Sequence, residues 1–267
     1  MSTGEEGTAT AQEEERLEEA TLLSHLVELR SRLLKATIAV LVIFVCLAPF
    51  AAEIFSLVAT PLVNVLPEGN SMIATRPASP LLTPFKLSFF IALFLGMPVV
   101  LYQTWAFIAP GLYKREKRVA VPLLASSIVL FYLGIAFAYF VVFPLMFGFF
   151  TAVAPTDVAV MTDIEEYLSF IITIFFAFGL AFEVPIATVL LVWAGFTTPE
   201  KLGKARAYVF LAAFVLGMIL TPPDMISQTL LAIPVYLLYE AGIFMSKVLV
   251  KRSSRREETD PDTGGEG

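Results

Sequence analysis

The stretch YLSFIITIFFAFGLAFEVPIATVLLVW, Tyr167 to Trp193, carries one charged side chain, Glu183. A hydrocarbon layer of about 30 Å needs roughly 20 apolar residues of helix, and this run exceeds that length. It reads as a membrane span. Five more apolar segments lie on either side of it: Leu34 to Phe55, Leu87 to Ile108, Val119 to Phe147, Ala207 to Leu220 and Ile226 to Val250. At about 1.5 Å per residue the segment from Ala207 reaches only some 20 Å, so it should thin the bilayer or stop below full depth. The last segment is interrupted by Glu240, so its uncharged part is expected to be short as well. The 267-residue chain is 57% hydrophobic and 16% charged, too apolar for an ordinary soluble domain. Neither the roughly ten-residue alternation of a membrane β-barrel nor an internal repeat is evident. The expected fold class is all-α, a polytopic membrane protein of six transmembrane helices with short fifth and sixth spans.

Residues 1–20 are rich in Glu, Thr and Gly, and residues 253–267 are similar in character. Both read as disordered tails around a membrane domain at 21–252. The acidic start lacks the basic residues of a secretory leader, so no cleaved targeting segment is read. Lys and Arg set the orientation, because cytoplasmic loops retain them. Arg16, Arg30, Arg32 and Lys35 precede the first span; Lys114, Arg115, Lys117 and Arg118 follow the second; Lys201, Lys204 and Arg206 follow the fourth; Lys247, Lys251, Arg252, Arg255 and Arg256 close the chain. That places 16 of the 18 basic residues on one side, with Arg76 and Lys86 opposite. Both termini are therefore expected inside. The Pro-rich loop from Pro61 to Pro84 and the acidic connection with Asp157, Asp163, Glu165 and Glu166 are expected outside.

Cys46 is the single cysteine and His25 the single histidine, which leaves no intrachain disulfide and no metal-ligand cluster. No metal, cofactor or nucleic-acid partner is expected. Intramembrane proteolysis is disfavoured on the same grounds: a serine protease needs a positioned base, the histidine lies outside the spans, and no pair of membrane aspartates exists.

Ahead of the first span, Leu22, Leu26, Leu29 and Leu33 form one helical stripe and His25, Glu28 and Arg32 another. This is an interfacial amphipathic helix. On residues alone, Glu28 and Arg32 can be an i,i+4 surface pair or part of a binding site. Glu116 sits among Lys114, Arg115, Lys117 and Arg118, which on residues alone reads first as a positive-inside anchor with a local ion pair. Glu183 is the strongest signal. A carboxylate deep in a span costs several kcal/mol unless it faces a cavity or partner, or is held neutral, and Pro185 two positions on should disturb the helix ladder. Gln228 and Glu240 are weaker cases of the same kind. In Leu220-Thr221-Pro222-Pro223-Asp224 the prolines force a sharp connection, and Asp224 reads as a helix N-cap.

Five separated motifs occur in order: His25 to Leu33, Met72-Ile73-Ala74-Thr75, Tyr102-Gln103-Thr104-Trp105-Ala106-Phe107-Ile108-Ala109-Pro110, Phe178 to Pro185, and Leu220 to Gln228. With them the chain resembles the TatC family, the large six-span subunit of the twin-arginine protein translocase, over about Leu22 to Val250. The resemblance implies a curved, glove-like bundle in the bacterial cytoplasmic (inner) membrane, its concave face capped by the first external loop that contains Pro61. It implies no enzyme but a receptor for folded precursor proteins bearing Arg-Arg signal peptides, working with single-span subunits of the TatA and TatB type, self-associating, and driven by the proton gradient. Glu28 and Glu116 match the family's acidic positions for that signal, with Arg30, Phe107 and Lys114 beside them. A guanidinium fork pairs bidentately with a carboxylate, better than an ammonium does, which makes the assignment chemically sensible. Glu183 matches an intramembrane glutamate on the concave side that meets a polar group of a single-span partner; Gln228 is read with it as an intramembrane polar position, and Pro61 and Asp224 as external-loop positions. At Glu183 the resemblance suggests a carboxyl that is often protonated and able to donate. The rival reading is a proton-coupled small-molecule carrier using Glu183, although the internal repeats common in such carriers are missing.

Overall fold

The structure is a computed structural model and describes residues 26–63, 73–108, 117–153, 163–221 and 224–259. Helices dominate. They are α1 (26–47), α2 (Ala51–Val63), α3 (Ser79–Leu95), α4 (Met97–Ile108), α5 (Lys117–Phe137), α6 (Phe143–Val153), α7 (Ile164–Ala181), α8 (Val184–Trp193), α9 (Pro199–Lys204), α10 (Arg206–Leu220) and α11 (Met225–Thr259). A 3₁₀ turn, Ala48–Phe50, joins α1 to α2, and a π-helical turn, Ala138–Val142, joins α5 to α6. Among the described residues the only β-type pairing is an isolated bridge between Ile73 and Asp163.

Among the described residues, four helical stretches are long and apolar enough to cross a membrane: Leu26–Thr60, Val121–Phe150, Ile164–Trp193 and Met225–Leu249. A fifth crossing is a pair, Ser79–Leu95 with Met97–Phe107, bent by 51°. The bend falls where Gly96 weakens the helix and Pro98 removes an amide donor, two common causes of a kink. The remaining apolar helix, α10, has 15 residues, about 22 Å of rise, as its short apolar run predicts. These elements correspond in order to the six expected segments.

Three boundaries differ from expectation. The Pro-rich external loop is narrower than the prolines suggest, because Pro61 lies within α2 and Pro84 within α3. A proline removes one ladder bond, and both helices continue through theirs despite that loss. The sixth span is not short: α11 runs without interruption through Glu240, whose charge has a partner described below. It also continues to Thr259, past Arg252.

The chain divides into two compact units, Met1–Phe50 with Ser88–Leu124, and Ala51–Leu87 with Ala125–Gly267. In the first, Ala36, Val40, Ala92, Phe94, Met97, Trp105 and Ala106 are buried. Phe44 meets Phe89 edge-on at 5.7 Å.

The second unit is built on a seam of phenylalanines. Phe143 packs on Phe147, Phe170 and Phe175, and Phe137 on Phe178 and Phe182. Apolar side chains gain nothing by leaving lipid for protein, so packing of small residues against large ones has to hold membrane helices together. Here that pairing is reciprocal. A Cβ on Gly134 of α5 would lie 2.5 Å from the Phe178 carbonyl oxygen of α7, and one on Gly179 of α7 would lie 2.6 Å from the Phe131 ring of α5. Farther along, α11 lies against α8 and α10.

Candidate functional site

Glu28 lies near the start of α1 and Arg32 one turn later. Arg32 Nε donates to Glu28 Oε1 at 2.9 Å and Nη2 to the same oxygen at 2.5 Å. Its Nη1 reaches Gln103 Oε1 of α4 at 3.5 Å. The glutamate side chain is 38% exposed and the arginine 23%. An i,i+4 pair as exposed as this contributes only about 0.3–0.5 kcal/mol, so its acid remains exchangeable. Arg30 is exposed on the same helix, and Phe107, one turn beyond Gln103, is half-buried. Lys114 and Glu116 lie outside the described residues, as does His25.

Glu183 lies in the break between α7 and α8. Pro185 cannot donate to the Ala181 carbonyl, and the backbone tightens ahead of it: the Glu183 amide bonds the Leu180 carbonyl at 3.1 Å, three residues back, before Ala187 returns to Glu183 at 2.8 Å. The proline therefore disturbs the ladder, as the sequence indicates, and places the acid at the discontinuity. Ser127 of α5, fully buried, donates its hydroxyl to Glu183 Oε2. Oε1 is buried and has no hydrogen-bond partner among the described residues. An orphaned carboxyl oxygen in this setting is costly, so the carboxyl is half satisfied from within.

The other predicted polar residues have definite places. Gln228 Nε2 donates to the Phe214 carbonyl of α10 at 2.7 Å. Asp224 is the N-cap of α11, as expected, and its Oδ1 accepts from the Ser227 amide at 2.7 Å. Its Oδ2 and the Ser227 hydroxyl are buried with no partner among the described residues. The side chain of Pro61 lies outside the described set.

Two clusters tie distant segments together. Asp163 caps α7, its Oδ1 accepting from the amides of Glu165 and Glu166 at 2.8 and 3.2 Å. Its Oδ2 accepts from the Thr75 amide at 2.9 Å and hydroxyl at 2.7 Å. Those donors, the Thr75 hydroxyl first, lower the Asp163 pKa to about 2. Beside it Glu165 accepts from Arg76 and Ser79, both at 2.9 Å, and Lys86 donates to Ser169 at 3.2 Å. The two basic residues that charge counting assigns to the outer face are thus both committed to α7. At the other end Arg206 holds Glu240 with two bonds, 2.5 and 2.9 Å, and Tyr236 adds a third at 3.2 Å.

Sequence reasoning missed Ser127, Gln103 and Thr75 as partners. Ser126-Ser127 is a pair of small hydroxyls in the third apolar run, a signal that a polar group faces it. Gln103 and Thr75 stand within the quoted motifs but do not announce which residue they hold.

The family described as Sec-independent protein translocase protein (TatC) matches residues 24–234. Over 237 residues the chain is 60% identical to the Sec-independent protein translocase protein TatC of Escherichia coli (strain K12), covering 89% of this chain and 92% of that one. It is 58% identical over 243 residues to the protein so named from Azotobacter chroococcum mcd 1, covering 91% and 94%. A crystal structure of the twin arginine translocase receptor TatC is similar with a TM-score of 0.76 and 42% identity, covering 84% of this chain and 98% of that one.

Proposed function

The chain belongs to the TatC family of Sec-independent protein translocase proteins, a multi-pass membrane component of a bacterial twin-arginine translocase, and on that premise we propose that it is the receptor for Arg-Arg signal peptides. Glu28 and Glu116 form the acidic surface that takes the two guanidinium groups, with Arg30, Phe107 and Lys114 around it. The observation that carries this reading is at Glu28: a half-exposed carboxylate that accepts two bonds from a guanidinium in a weak, exchangeable pair. An arginine of a signal peptide presents the same fork.

Glu183 and Gln228 mark where single-span partner subunits of the translocase dock in this reading. The unpartnered oxygen of Glu183 supports it, since a polar group on a partner helix would complete the carboxyl's bonding at membrane depth. Transport follows from assembly of those subunits and involves no covalent chemistry by this chain. Both termini face the cytoplasm, supported by the basic residues gathered on that side. The bonds joining Thr75 to Asp163 support one common side for their two segments, and the scarcity of basic residues there, Arg76 and Lys86 alone, supports the outer one.

Photocrosslinking from positions 28 and 116 to a twin-arginine precursor in inner-membrane vesicles tests the assignment. Replacing both glutamates by alanine is expected to abolish crosslinks from neighbouring position 107. Unchanged crosslinking in the double variant sinks the site.

A further inference from the structure

Glu28 is already occupied by a guanidinium. Arg32 places Nε and Nη2 on one carboxylate oxygen, at 2.9 and 2.5 Å, and its third nitrogen lies 3.5 Å from Gln103. These are the contacts that an arginine from another chain would make. A bidentate fork bonds both oxygens of a carboxylate, so a guanidinium that docks on Glu28 in that way requires Arg32 to leave Oε1.

We propose that Arg32 is an internal competitor for the signal-peptide site, a residue that sets the affinity threshold of Glu28; the inference rests on the reading of Glu28 as a signal-binding group. Its position in the sequence makes the competition permanent. One helical turn separates the two residues, so the competing guanidinium is always present and its effect does not depend on protein concentration. A pair of this exposure favours the closed form about twofold, which raises the apparent dissociation constant of any cation at Glu28 about threefold. A lone surface cation binding no better than Arg32 then gains little by replacing it. A ligand with two adjacent arginines keeps the surplus of its second guanidinium. Gln103 gives the closed form an additional tether, and the displaced side chain, already partly exposed, returns to water without stranding a charge.

Competition scales every ligand by one factor, which makes the idea sharply testable. The full chain in phosphatidylethanolamine–phosphatidylglycerol nanodiscs is titrated with a synthetic signal peptide carrying Arg-Arg and with its Lys-Lys counterpart. Arg32→Gln is expected to tighten both peptides about threefold and leave their ratio unchanged. In a Glu28→Gln background the same substitution is expected to have no effect, because nothing remains to compete for. Arg32→Met, which keeps the aliphatic stem, replaces the glutamine variant should thermal unfolding show that one misfolded. Weaker or unchanged binding in the folded variant overturns the proposal. Equal tightening in the Glu28→Gln background overturns it too, since it would reflect the loss of a repelling charge. Failure of Glu28→Gln by itself to weaken the Arg-Arg peptide instead overturns the reading of Glu28 as the signal site.

Discussion

Ser127 and Glu183 are joined across two helices by one hydrogen bond that leaves the second carboxyl oxygen buried and unpartnered among the described residues. Removing Ser127 therefore does more than delete a contact. With Ser127→Ala the carboxyl loses its one hydrogen-bond partner among the described residues, and the expected loss is about 1–3 kcal/mol. It is read as a lowered unfolding midpoint in detergent. Glu183→Gln retains an acceptor for Ser127 and should be milder than Glu183→Ala. Crosslinks to single-span partners from neighbouring α10 positions should fall in the same order. An alanine variant that crosslinks like the parent would detach Glu183 from partner docking.

The helix seam makes a second, purely steric prediction. At Gly134 a methyl group would meet the Phe178 carbonyl, part of a rigid helix backbone, at 2.5 Å. Gly134→Ala should therefore destabilise by about 3 kcal/mol or more, at or above the usual overpacking range. At Gly148, in α6, a methyl group would meet nothing within 4 Å, so Gly148→Ala should be neutral or slightly stabilising through its helix propensity. Thermal unfolding of the two variants side by side separates the cases. Equal midpoints would mean that α5 and α7 do not approach at Gly134.

How far these features are legible in the sequence depends on whether their cause is local. The Pro185 break, the Asp224 cap and the short fifth span are readable, because a missing amide donor, a short acidic side chain before a helix and a count of apolar residues act where they stand. Pro61 misleads because a proline costs a helix one ladder bond without obliging it to end there. Glu240 does not shorten its span because its partner, Arg206, is 34 positions away in sequence, beyond the reach of any local pattern. Ser127 and Gln103 are invisible as partners for the same reason: a pattern along one helix says which face is polar, not which residue of another helix meets it.

Asp163 gives the pH prediction. Its pKa is depressed to about 2 in the folded chain, below the ordinary carboxylate value near 3.9. A depressed acid stabilises the fold fully above the unfolded value and loses that contribution as pH falls through the folded one. The clasp between Thr75 and α7 should thus be intact at neutral pH and weaken only between about pH 4 and pH 2. Asp163→Ala should behave at pH 7 as the parent does at its acid limit. The check is the reactivity of a cysteine introduced at the neighbouring exposed position 74, which leaves Thr75 in place, with a membrane-impermeant reagent, expected to rise in the alanine variant at pH 7. Asp163→Asn, which keeps an acceptor for Thr75, should lie between. Equal reactivity in all three would mean that Asp163 does not hold this segment.

The pair of Arg206 and Glu240 is bidentate and sits where α10 begins beside α11, with Tyr236 completing the acid's bonds. A charge in a membrane span is tolerated when it is paired, and the damage comes from leaving one member alone. Single alanine substitutions should therefore lower the unfolding midpoint more than the double substitution does, which is the opposite of additivity. Arg206→Lys should recover only part of the loss, because an ammonium cannot reproduce two parallel bonds to one carboxylate. The reversed pair, Arg206→Glu with Glu240→Arg, should recover less still, since Tyr236 would then face an arginine that offers its hydroxyl no acceptor. A double variant as damaged as the sum of the two singles would show that the residues act separately, and the uninterrupted run of α11 through Glu240 would then need another cause.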